Sequence, residues 1–321
     1  RSAGPLSHFR LHQAIKPKLL GQVRKMRGLA EFLQEFNFDG ADDAVQDEGG
    51  MTGLLCAVLA GKPEMLRMLV ELKADVHSRA WGLGEFGYYD NQTLLMVACK
   101  SCQEPLVVTT LLELRADASA PARSSIGAAA GLTVRPVWLV RHPGHVQALQ
   151  AAKADCTSAM ALTGVAGRAG PDTVQALLDA RCDPDGLRPG FGPLHTAPLY
   201  GRSNRQLLEV VQVLIDNRAD VNAQAHPVSA QFMLHSVFAR LHAAMVGLEG
   251  ITTGFQLKMA VLPGCTPLAI AAITGEEPLV NLLLDAKADM NIANFRGDMP
   301  KDLAKALGRT HLLPILDTFH V

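Results

Sequence analysis

Four groups of residues have types and spacings that could do chemistry. Gly82-x-Gly84-x-x-Gly87 spells the loop that cradles a dinucleotide pyrophosphate. That loop works only between a strand and a helix, where the phosphate meets the helix N-terminus. The flanking sequence has no strand pattern, so no nucleotide and no other cofactor is expected. Cys99-x-x-Cys102 has the spacing of a redox or metal pair, but no second pair stands at zinc spacing. His142-x-x-His145 sets two imidazoles one helical turn apart with no carboxylate close in sequence, so no metal site is expected there. Asn91-Gln92-Thr93 is a glycosylation sequon, yet six Cys without a dense pattern argue against secretion. No Ser-His-Asp set, carboxylate pair or phosphate loop stands out, so no catalytic residue is assigned and an enzyme is not expected.

The elements that would have to position such residues are helical. The chain has 321 residues, of which 48% are apolar and only 5% aromatic. Ala and Leu are plentiful, which favours helices over β-sandwiches. The net charge of −1 excludes the basic face of a general nucleic-acid binder. No apolar run reaches the roughly 18 residues of a transmembrane helix.

A short motif recurs after apolar runs: Lys73-Ala74-Asp75, Arg115-Ala116-Asp117, Lys153-Ala154-Asp155, Arg181-Cys182-Asp183, Arg218-Ala219-Asp220 and Lys287-Ala288-Asp289. The aspartates are 42, 38, 28, 37 and 69 residues apart, a unit in the low thirties with insertions. A second signature lies upstream. Thr266-Pro267-Leu268-Ala269-Ile270-Ala271 is its fullest copy, and Thr52–Ala57, Thr93–Ala98 and Gly192–Ala197 repeat it. Thr suits a helix cap and Pro the first helical position, where no N–H is wasted. Leu54, Leu95, Leu194 and Leu268 are expected in a shared core, and Ala57, Ala98, Ala197 and Ala271 where helices approach closely.

These residues resemble the ankyrin repeat, whose hallmark is T-P-L-H-x-A. The resemblance runs over roughly residues 20–318. It implies an all-α ankyrin-repeat solenoid of six or seven helix-turn-helix units with hairpin-like fingers. His195 is its signature histidine, implied to hydrogen-bond between neighbouring loops. One departure is systematic: the Gly expected before Ala-Asp is Lys or Arg in all six copies. A left-handed non-glycine residue costs on the order of 1 kcal/mol, and a cation at a helix C-terminus recovers about 0.3–1 kcal/mol. The six cations are read as helix caps partly neutralised by the Asp two residues on, in preference to a basic ladder for an acidic partner.

Residues 1–23 form a basic N-terminal arm, and residues 24–318 a single array. The first 30 residues hold seven Lys or Arg and no Asp or Glu, leaving 23 basic against 31 acidic groups, a net −8, in the remainder. Such a terminus resembles an organellar transit peptide, but the segment is read instead as an arm or cap in which Arg10, Lys16 and Lys18 touch an acidic protein or a membrane surface. Leu29, Phe32, Leu33 and Phe36 then suggest half a repeat. Insertions are expected at about 78–91, 119–132 and 224–264. Trp81, Phe86, Tyr88 and Tyr89 on the first, with Phe232 and Phe238 on the third, are the candidate partner anchors. The third is read as either a degenerate repeat or an inserted hairpin. The expected function is non-enzymatic protein–protein binding through the concave face that the resemblance implies and through the long fingers, as an intracellular, cytoplasmic scaffold or adaptor without homo-oligomerisation. The alternative is a permanent peripheral subunit of a large assembly, organellar or at an organellar membrane.

Overall fold

A computed structural model of the chain describes residues 28–36, 52–80, 91–101, 104–123, 133–186, 190–201, 204–226 and 262–318. Trp81, Phe86, Tyr88, Tyr89, Phe232, Phe238, Arg10, Lys16, Lys18, Cys102 and the three glycines of the Gly82 motif lie outside these residues. The chain divides into two compact units, residues 1–98 with 106–117, and residues 99–105 with 118–321.

The smaller unit begins with a helix at 28–35, α1, which buries Phe32. Lys62 pairs with Glu35 and lies 5.7 Å from the ring centres of Phe32 and Phe36. One cation thus joins a carboxylate and two aromatic faces. Helices α2 (Gly53–Leu59) and α3 (Pro63–Glu71) follow. Thr52 caps α2, its Oγ1 accepting the Leu55 N–H at 3.2 Å. Helix α3 packs on α5 (Leu106–Glu113), where Arg67 donates to Thr110 and Glu113. Strands β1 (Arg79–Ala80) and β2 (Gln92–Thr93) pair antiparallel, and β2 leads directly into α4 (Leu94–Ser101).

In the larger unit, strands β3 (Ala122–Arg123) and β4 (Thr133–Val134) also pair antiparallel. These two short strand pairs are the only strands among the described residues of an otherwise helical chain, and the first of them directly flanks the Gly82 motif, where no strand pattern was read. Each stands where an insertion leaves and rejoins the repeats, because a long connection brings its two ends together and their backbone groups satisfy one another.

Helices then alternate. A 3₁₀ turn, η1 (Pro136–Leu139), precedes α6 (Pro143–Ala151). The pairs α7 (Ala159–Val165) with α8 (Pro171–Asp179), and α9 (Pro193–Tyr200) with α10 (Leu207–Asp216), come next. Helix α11 (Pro267–Thr274) pairs with α12 (Glu277–Asp285). Helix α13 (Pro300–Ala306), the turn η2 (Thr310–Leu312) and α14 (Leu313–Thr318) end the unit.

The pairs stack in two rows. Along one, η1, α7, α9, α11 and α13 pack in succession; along the other, α6, α8, α10 and α12 do. The signature leucines Leu194 and Leu268 are buried between them, and Ala197 and Ala271 are fully buried where the helices meet. The sixty residues between α10 and α12 do not interrupt the stack: α9 packs on α11 and α10 on α12.

Candidate functional site

All six motif cations adopt left-handed backbone: Lys73, Arg115, Lys153, Arg181, Arg218 and Lys287 have φ between 61° and 77°. Each ends a second helix in the same way. The N–H of Lys287 reaches Leu284 O at 2.8 Å, and the next N–H, of Ala288, reaches Leu283 O at 2.9 Å. The same two bonds recur at Lys73, Arg115, Lys153, Arg181 and Arg218. This double bond closes the orphan carbonyls of the helix end and requires a residue at positive φ. All six side chains are exposed.

Aspartate supplies the next step. The carboxylate oxygen of Asp75, Asp155, Asp183, Asp220 or Asp289 accepts the backbone N–H two residues on, at 2.8 to 2.9 Å. That local bond shapes the turn tip. Acids flank the cations on both sides, with Glu71, Glu113, Asp179, Asp216 and Asp285 two residues before five of them. Each of these helix ends therefore carries alternating charge with an acidic excess, and a basic ladder is not what the residues form.

In the larger unit the turn tips are bonded to one another. Cys182 Sγ donates to Cys156 O at 2.7 Å. Asp185 Oδ1 accepts the Asp220 N–H at 2.6 Å, and Asn222 Oδ1 accepts that of Asp289 at 2.8 Å. The Gln224 amide donates to Gly264 O and Ala293 O. The Ala225 N–H donates to Cys265 O, and the Gly264 N–H to Ala225 O. His195 is buried; its Nδ1 accepts the Gly192 N–H at 3.0 Å and its Nε2 donates to Ala223 O at 2.9 Å. Both nitrogens are used, and burial holds its pKa below the ordinary value. Its role is the loop-to-loop bond that the resemblance implied, with no lone pair left for a base. Gly192 replaces Thr at this cap because a Cβ there would stand 2.6 Å from Asp185 O.

Four of the described thiols are poor nucleophiles. Burial pushes Cys56 and Cys156 up to about 11, and Cys182 and Cys265 up to about 12. Cys99 is fully buried. The His142 ring accepts the Gly144 N–H at 3.0 Å and so caps α6, while His145 is buried. Among the described residues no group of three or more His, Cys, Asp or Glu is placed to hold a metal ion. No described helix is long and apolar enough to cross a membrane.

Residues 263–295 match the family model described as the ankyrin repeat. The chain carries an ankyrin repeat. The matched segment spans α11, α12 and the turn of Asp289, with Thr266 Oγ1 accepting the Ala269 N–H at 3.2 Å and Gly275 at φ 82°. No curated protein matches the chain.

Sequence reasoning missed the cross-turn acceptors Asp185 and Asn222 and the donor Gln224. The signal was present in part, since Asn222 stands two residues past the motif Asp, as Asp185 and Asn291 do. Which neighbour each would reach depends on how successive units stack. It also missed that Lys100, Arg141 and Arg168, from three different segments, share one concavity.

Proposed function

We propose that the chain is a non-enzymatic, ankyrin-type protein-binding module whose larger unit is a short solenoid. Its binding surface is the row of turn tips from Asp155 to Phe295. The bonding of successive tips, Asp185 to Asp220 and Asn222 to Asp289, carries the reading. It holds exposed groups in fixed relation before any partner arrives, which removes part of the ordering cost of association. The ankyrin match supports protein binding in general, and His195, with both ring nitrogens bonded, and the buried Cys182 and Cys265 thiols are used for packing and not poised as base or nucleophile. The alternating charge along the row would set register and specificity more than raw affinity.

The test reverses three exposed cations at once. Arg181→Glu, Arg218→Glu and Lys287→Glu together turn the row uniformly acidic while leaving the core untouched. Proteins captured from native extract by the wild-type chain should be lost to the triple variant, with unchanged circular dichroism. An identical captured set would contradict the reading.

A further inference from the structure

Helix α6 begins unlike the second helix of any other motif copy. Eight residues before its left-handed Lys153 stands His145, fully buried. The other five copies carry Met65, Val107, Thr173, Val210 and Leu279 at that place, all buried and none titratable. His142, three residues earlier, caps the helix. The first turn of α6 holds no acid, whereas Glu64, Asp172, Glu209 and Glu277 lie in the first turns of α3, α8, α10 and α12.

This turn closes only around neutral imidazoles. Pro143 has no N–H, so the Gly144 N–H is the first donor of α6, and His142 Nδ1 accepts it at 3.0 Å. A protonated Nδ1 is a donor and cannot accept. It would also set a positive charge at the positive end of the helix dipole. Neither ring nitrogen of His145 makes a well-formed hydrogen bond, so nothing there offsets the burial of an imidazolium. Pro105 lies against the turn and leaves no slack: a Cβ on Gly144 would stand 2.8 Å from Pro105 Cβ.

The neighbouring elements supply no counter-charge. Within the larger unit α6 packs on η1 and α8. The buried side chains of η1 are Pro136, Val137 and Leu139, and those of α8 are Thr173, Val174 and Leu177, none titratable. Of the charged groups beside these faces, Glu104, Arg141, Asp172 and Asp179 are exposed and Arg135 is half-buried. Burial first, and then the His142 ring 5.7 Å away, oppose protonation of His145; the Glu104 backbone favours it and is outweighed.

We propose that the start of α6 is an acid-released latch: when His142 and His145 take up protons, α6 opens locally, with the Lys153 end and the Asp155 tip that follow it, while α8 to α13 stay folded. Mild acid thus frees one end of the turn row. Only that consequence for binding rests on the protein-binding reading, and the opening itself is tested without a partner.

Hydrogen exchange of the full-length chain is followed peptide by peptide at pH 7.5, 6.0 and 5.0, each rate divided by the intrinsic rate at that pH. The opened turn takes the His145 proton near pH 6.5 and the closed one only near 4, so protection is complete above pH 6.5 and falls as the pH drops. From pH 7.5 to 5.0 the protection of α6 should fall about thirtyfold by this linkage, and that of α11 and α12 less than about threefold. His145→Leu, the residue type that α12 carries at that place, should remove most of the fall. His142→Asn, a cap that does not titrate, should lessen it, and the two together should abolish it. Circular dichroism verifies each fold, and His145→Met, the residue type of α3, replaces a Leu variant that misfolds. Steady protection of α6 from pH 7.5 to 5.0, an equal fall in α12, or an undiminished fall in the double variant would overturn the proposal, whatever the capture experiment on the turn row shows.

Discussion

Asn222 and Asp289, 67 residues apart in sequence, are joined by a bond from the Asp289 N–H to Asn222 Oδ1 at 2.8 Å. The Asp289 carboxylate in turn accepts the N–H of Asn291. One turn tip therefore sets the next across the longest interval between motif copies. Asn222→Ala removes the acceptor and should cost about 1 kcal/mol in urea unfolding, the usual net worth of such a bond. Hydrogen exchange at the Asp289 amide should rise with it. Unchanged protection at that amide would mean that the tips are not coupled.

The left-handed cations make a second prediction. Lys287 has φ 65°, and its N–H and that of Ala288 close the end of α12. Lys287→Gly and Lys287→Ala both remove the charge, so comparing them isolates the backbone. The Gly variant should be the more stable, by about 1 kcal/mol. Equal stability would show that the position carries no left-handed strain.

His145 gives a pH dependence. It is fully buried on α6, and neither ring nitrogen makes a well-formed hydrogen bond. Burial lowers its pKa from 6.5 to about 4, the Glu104 backbone opposing and the neighbouring His142 ring, 5.7 Å away, assisting. The unfolded chain thus binds this proton more readily than the folded one. Stability is complete above pH 6.5 and falls as the pH drops toward 4. The loss between pH 7.5 and 4.5 should be on the order of 2–3 kcal/mol. His145→Leu should flatten that part of the profile; the same slope in the variant would assign it to other groups.

The repeat was legible because its signals are local. Thr52 and Thr266 cap helices through bonds three residues long, and the Leu and Ala of each signature copy are buried as their spacing requires. The six cations could be located from sequence because a helix end demands positive φ at a fixed offset. The η1–α6 pair was harder to read: it has neither the Thr nor the Leu of the signature, and its first helix is reduced to a 3₁₀ turn. The Lys100, Arg141 and Arg168 rim was not legible at all. Its members come from segments 41 and 27 residues apart and meet only through the stacking of successive units. The strand pairs escaped notice because two residues per strand leave no alternation to detect.

The central claim, that the larger unit is a stack in which each helix pair leans on its neighbours, is tested most directly through Leu268. It is fully buried in α11, which packs on both α9 and α13. Leu268→Asp places an unpaired carboxylate there at a cost of several kcal/mol. Hydrogen exchange should be read helix by helix in wild type and variant. In a chain of nearest-neighbour interfaces the loss of protection should be greatest in α11 to α13, smaller in α9 and α10, and least in α6. Loss confined to α11, or spread evenly over every helix of the unit, would contradict the stack.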